Sequence, residues 1–125
     1  MAKLLGLDHI SIIVKDAEAS LKFYQALLGV ELMSRPNLGF PGYWVDFFAG
    51  QSLHIMQIAD PNEGTKRPEH GGRDYHFAIR VDDLSSFQDK LDAMQHSYTL
   101  SKSGRRALFT RDLDNNALEL LEYSV

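Results

Sequence analysis

Apolar and polar residues alternate in short runs along this chain, and the runs come in the same order twice. Over residues 7–14, Ile10, Ile12 and Val14 fall on one side of an extended backbone, and His9, Ser11 and Ile13 fall on the other. Over residues 75–81 the pattern returns, with Phe77, Ile79 and Val81 opposite His76, Ala78 and Arg80. Each run leads into a stretch of helical period. Residues 17–28 bring Ala19, Phe23, Ala26 and Leu27 near one face, and residues 83–94 do the same with Leu84, Phe87, Leu91 and Met94. Asp16 is placed to cap the first helix and Gly29 to end it. A weak strand over 30–34, a Pro- and Gly-rich loop over 35–42, and a hairpin of 43–49 with 52–58 turning at Gly50-Gln51 complete the first half. The second half ends in strands near 98–100, 107–111 and 117–123, with a turn over 112–116. The order β-α-β-β-β, written twice, predicts an α+β fold. Two βαβββ modules, about 5–59 and 74–125, are expected within a single domain spanning 1–125. Residues 60–73 are rich in Pro, Gly and charge and read as the linker between modules, free to act as a mobile flap.

At 125 residues the chain is long enough to bury a real core. The net charge of −4 argues against nucleic acid as a partner, because phosphate binding needs a basic face. With no cysteine, disulfides, thiolate chemistry and Cys-type zinc sites are excluded, so any metal must be held by nitrogen and oxygen. The apolar runs are strand-sized, which speaks against a membrane span, and residues 1–6 are too short for a signal peptide; a cytoplasmic location is the expectation.

The repeat places ligand-type side chains at matching positions. His9 matches His76, 67 residues on, and His54 matches Glu119, 65 residues on. In all four strands this residue lies on the face away from the more apolar set, where a lined cavity would be. A lone strand His is more often structural, but matched pairs favour a divalent metal held by His9, His54, His76 and Glu119. The donor set suits Zn, Ni, Co, Mn or Fe and does not select among them. Two oxygens of a small oxygenated carbonyl substrate would chelate such an ion, which would hold the charge of an enediolate during proton transfer. Glu119 is the leading catalytic base if it leaves the metal transiently, and otherwise only a ligand. Trp44, Phe47, Met56, Phe109 and Leu121 are candidates for the substrate-binding wall, and Arg35, Arg105, Arg106 and Arg111 for contacts to an anionic group. Gln57, on the opposite face from His54, is a weaker ligand candidate; His70 and His96 read as exposed and without function.

Three segments carry a family likeness: Leu7-Asp8-His9-Ile10 with the helix through Phe23-Tyr24 to Leu28-Gly29; Tyr75-His76-Phe77-Ala78; and Asp112-Leu113-Asp114-Asn115-Asn116-Ala117-Leu118-Glu119-Leu120. On these the chain resembles the vicinal oxygen chelate superfamily of glyoxalase I, extradiol dioxygenases, methylmalonyl-CoA epimerase, fosfomycin-modifying enzymes and bleomycin-resistance proteins. The resemblance implies paired βαβββ units forming a cupped mixed sheet with the helices outside, around a metal at His9, His54, His76 and Glu119, and a homodimer whose site is shared between subunits in many relatives. Glyoxalase I commonly has a carboxylate or glutamine where this chain has His54, and no insertion for clamping glutathione is evident. The expected activity is that of a metal-dependent glyoxalase-like lyase or isomerase. The alternatives are an extradiol-type Fe(II) dioxygenase, which uses two His and one Glu, here His9, His76 and Glu119, and a bleomycin-resistance-like binding protein without turnover.

Overall fold

The alternation of the first half becomes a sheet with one covered and one open face. In the computed structural model, which describes residues 1–124, strand β1 (His9–Val14) leads into helix α1 (Ala17–Leu28), then β2 (Leu32–Met33), β3 (Gly42–Asp46) and β4 (Ser52–Gln57). The last residue of the expected second module, Val125, lies outside the described residues. The strands pair in the order β1-β4-β3-β2, with β1 parallel to β4 and the remaining pairs antiparallel. Val45, Leu53 and Ile55 are fully buried on the side over which α1 packs. The second half repeats this arrangement. Strand β5 (His76–Val81) is followed by α2 (Leu84–Ala93), β6 (Tyr98–Leu100), β7 (Ala107–Arg111) and β8 (Ala117–Glu122), in the order β5-β8-β7-β6 with β5 parallel to β8. Leu108, Leu118 and Leu120 are buried there with Leu84 and Leu91 of α2. The chain divides into two compact units, Met1–Asp60 and Pro61–Val125.

Each helix is closed at its N-terminus by the last strand of its own unit. Asp16 caps α1 by accepting from the Ala19 amide, and the Gln57 side-chain oxygen accepts from Ala17 N at 2.9 Å. In the second unit Glu122 accepts from Leu84 N at 3.0 Å. This amide bond, with the Arg106 guanidinium next, holds the Glu122 carboxyl below its ordinary range. Gln57 is thus a helix cap on the covered side of the sheet, which corrects its candidacy as a ligand. Replacing Gln57 with Leu should leave the Ala17 amide unpaired and cost about 1 kcal/mol in urea unfolding, whereas Gln57→Glu should be nearly neutral. Equal stability of the Leu variant and the parent would show that the bond adds nothing.

The structure corrects several boundaries. The buried stripe of α1 runs through Ala17, Ser20, Leu21, Phe23, Tyr24 and Leu27, whereas Ala26 is exposed, because the helix lies over both β3 and β4. The strand expected over 30–34 shrinks to two exposed residues at the sheet edge. The hairpin turns over Phe48, Ala49 and Gly50, all at positive φ, and not at Gly50-Gln51. The Asp46 carboxylate sets this turn by accepting from Phe48 N at 2.7 Å. The expected flap is a tethered strap. It belongs to the second unit, carries a 3-10 turn at Gly71–Arg73, and lies against β7 and β8. Glycine eases the approach at Gly72, where a Cβ would stand 3.0 Å from the His70 ring and from Phe109 Cζ. His70 and His96 are half-buried and bonded, not exposed: His70 Nδ1 accepts from Gly72 N, and His96 Nε2 lies 2.6 Å from the Arg111 carbonyl. Among the described residues no helix is long and apolar enough to cross a membrane.

Candidate metal and substrate site

In the first unit the sheet face away from α1 gathers aromatic rings. Cross-strand register puts Ser11 beside His54, and His54 beside Trp44. The His54 ring lies between the other two, with centroids 3.9 Å from His9 and 4.2 Å from Trp44 and planes within 10°. The Asp8 carboxylate meets His9 Nδ1 at 2.6 Å. A carboxylate only accepts, so Nδ1 carries the hydrogen and Nε2 is the nitrogen left for another partner. His54 differs, because its Nε2 is engaged by the Ser52 hydroxyl at 3.1 Å. Burial, then the neighbouring His9 and the Arg35 cation, lower the His54 pKa below its ordinary value against the opposing pull of Asp8, which favours the neutral imidazole.

Beside the rings, Arg35 donates to the Phe40 carbonyl at 3.0 Å and lies 5.0 Å over the Phe40 ring. A Cβ at Gly42 would meet Arg35 Nη2 at 3.0 Å and the Ile55 carbonyl at 2.3 Å, so this strand start must be glycine. Arg35 Nε is buried without a hydrogen-bond partner. Met56 shares the open face with His54, while Phe47 follows β3 with its place in the alternation beside Tyr43 and Val45.

In the second unit the equivalent face carries His76 and Glu119. Register sets Glu119 between Ala78 and Phe109, and its carboxylate reaches His76 Nε2 at 3.4 Å. His76 Nδ1 lies 2.9 Å from the Asp74 carbonyl. A carbonyl only accepts, so here too Nδ1 carries the hydrogen. His76 Nε2 is thus the nitrogen that faces the Glu119 carboxylate oxygen, an arrangement that calls for a proton or a cation between them. Glu119 is buried beside Phe109, Ala117 and Leu121. A carboxylate in such surroundings with one loose imidazole partner is a poor device for stability. Phe109 also meets His76 edge-on and His70 at a tilt.

The remaining arginines are occupied elsewhere or lie in a loop. Arg106 bonds to Glu122, the cap of α2, at 2.7 Å. Arg111 donates to Asp74, Asn115 O and Pro68 O. Arg105 is exposed in the loop before β7. A cavity of about 380 Å³ borders Phe109, with Glu69, His96, Thr99 and Arg111 in its wall, but neither His76 nor Glu119 lines it. Three residues that sequence reasoning passed over orient the donors: Asp8 for His9, Asp74 for His76 and Ser52 for His54. The acid immediately before His9 is the signal that could have found the first; Asp74 acts on His76 through its backbone carbonyl, which no residue type announces.

Among the described residues, no group of three or more metal-binding side chains is gathered in one place; each unit offers a pair. The pairs fit a divalent ion by chemistry. Two imidazoles are anchored through Nδ1, which leaves Nε2 of His9 for another partner and Nε2 of His76 facing the Glu119 carboxylate. His54 would join them by giving up its bond to Ser52.

Comparison with known proteins agrees with this architecture. The model of the Glyoxalase/Bleomycin resistance protein/Dioxygenase superfamily matches residues 6–120. The chain therefore belongs to this superfamily, and its two mixed four-stranded sheets with two helices are that fold. It is 27% identical to Glyoxylase I 4 of Arabidopsis thaliana, over 94% of this chain and 70% of that protein. It is 28% identical to the lactoylglutathione lyase of Haemophilus influenzae, over 91% of this chain and 90% of the enzyme. Among solved structures, the genomically encoded fosfomycin resistance protein FosX of Listeria monocytogenes, complexed with Mn(II) and sulfate, aligns with a TM-score of 0.75 at 19% identity. That alignment covers 98% of this chain and 94% of FosX.

Proposed function

We propose that this protein is a metal-dependent lyase or isomerase of glyoxalase type, acting on a small oxygenated carbonyl compound. The observation that carries the reading is the doubled donor arrangement. In each unit a first-strand histidine is anchored through Nδ1, and its neighbour on the last strand is His54 in one unit and Glu119 in the other. Two donors are too few for a structural or catalytic ion, so the reading requires one His9/His54 pair to meet one His76/Glu119 pair, in one chain or between two chains of a homodimer. The lyase named among the relatives and the Mn(II) held by FosX support it. When bound, a divalent ion supplies Lewis acidity to substrate oxygens.

The side chains supply the rest. Glu119, held beside apolar neighbours, would have to leave the ion to act as base; released, it takes a proton from the carbon next to the carbonyl and returns it to the adjacent carbon or oxygen. Trp44 and Met56 in one unit, and Phe109 and Leu121 in the other, present apolar walls that exclude water. Arg106 and Arg111 are bonded to carboxylates within the protein, whereas Arg35 donates only to the Phe40 carbonyl and acts electrostatically on His54, so its charge is the one left for an anionic group of the substrate.

One observation favours a second reading. His54 is stacked between two rings and bonded to Ser52, so the readily available donors are His9, His76 and Glu119. That is the two-His, one-carboxylate set of non-haem Fe(II) oxygenases. Elemental analysis of freshly purified protein, followed by assays of methylglyoxal–thiol adducts and of catechols with and without oxygen, separates the two. Zinc, nickel, cobalt or manganese with oxygen-independent turnover of the adducts is the expected result. Iron with oxygen uptake on a catechol would favour the second reading. Protein that takes up no divalent metal yet binds ligand fully would overturn both.

A further inference from the structure

Arg111 sits on the same sheet face as Glu119, yet its guanidinium is spent on the protein. It donates to Asp74 Oδ2 at 2.9 Å, to the Asn115 carbonyl at 2.8 Å and to the Pro68 carbonyl at 2.6 Å. The Asp74 carboxylate also accepts from Arg67 at 3.2 Å and from Tyr75 N at 2.8 Å. The side chains of this pair are only 5% and 19% exposed, for Asp74 and Arg111 respectively. Burying an ion pair is a poor route to stability, since apolar residues of similar size often do as well or better. What the pair does achieve is geometric. It holds both ends of the segment from Pro68 to Asp74 and fixes the peptide whose carbonyl receives His76 Nδ1. That hydrogen bond decides which imidazole nitrogen faces Glu119.

We propose that the Asp74–Arg111 pair is a positioning device for His76: it fixes the Asp74 carbonyl, and through it keeps Nδ1 protonated and Nε2 open toward Glu119. Arg111 is on this account a positioning residue and not a substrate contact. The consequence for metal affinity rests on the function proposed above; the consequence for the imidazole does not.

The test reads the imidazole directly. Nitrogen-15 NMR of histidine-labelled, metal-free protein, taken at alkaline pH where imidazoles have lost their second proton, distinguishes the two neutral tautomers. In the parent, His76 should be locked with hydrogen on Nδ1. In Asp74→Asn and Arg111→Met it should become a mixture, while His9, anchored separately by Asp8, stays unchanged. Arg111→Lys keeps the charge and loses the fork, so it should fall between, and it serves if the Met variant does not fold. Affinity for Zn(II) and Mn(II), measured by chelator competition, should weaken by about ten- to a hundredfold in the two disrupting variants. Folded variants whose His76 tautomer matches the parent would overturn the proposal. Should the parent bind neither ion, the metal reading falls while the tautomer measurement still decides the role of the pair.

Discussion

Replacing Glu119 with Gln is expected to lower turnover by about two to four orders of magnitude, the usual worth of a general base, and to weaken metal binding as a separate effect. The exchange keeps the shape of the side chain and removes its charge. In the metal-free protein it should also leave stability unchanged within about 0.5 kcal/mol, or raise it. Burial of Glu119 beside Phe109, Ala117 and Leu121 with a single imidazole 3.4 Å away underlies that second expectation. A residue kept for the fold should cost stability when neutralised; one kept for chemistry should not. Urea unfolding of the stripped protein and a chelator titration test the two halves independently. A destabilised Gln variant with parental metal affinity would return Glu119 to a structural role.

Moving one position along the same strand should reverse the outcome. Leu120 is fully buried, pairs with Leu108 and Ile79, and points to the side covered by α2. Leu120→Ala should cost about 2–5 kcal/mol, through lost burial and the cavity left behind. Metal affinity per folded molecule should stay near that of the parent. Differential unfolding and chelator competition on the same sample are the measurements. A variant of near-parental stability would mean that α2 is not seated on β8 as described. The two neighbours differ because a strand turns successive side chains to opposite faces, one to the core and one to the candidate site.

That alternation is also why so much was legible in the chain itself. The β-α-β-β-β order and its repetition follow from local periods of two and of 3.6. The sides on which His9, His54, His76 and Glu119 stand follow from counting along each strand. Boundaries suffered where packing overrode period. Tyr24 rather than Ala26 joins the buried stripe of α1, because that helix spans two strands. The segment read as a free linker is instead tied to β7 by a guanidinium and laid on the sheet by glycines that admit close approach.

Residue types, their alternation and the doubled pattern are properties of neighbours in sequence, so the sequence by itself determined the two modules, their open and covered faces, and the chemical nature of the donors. What each donor leans on was decided only by tertiary structure. Arg111 meets Asp74 and Pro68 from 37 and 43 residues away, and Gln57 reaches the start of α1 from 40. Such pairings depend on strand register and on backbone approach between distant segments. No local period encodes them, and they separate an arginine that clamps from one that is free to bind.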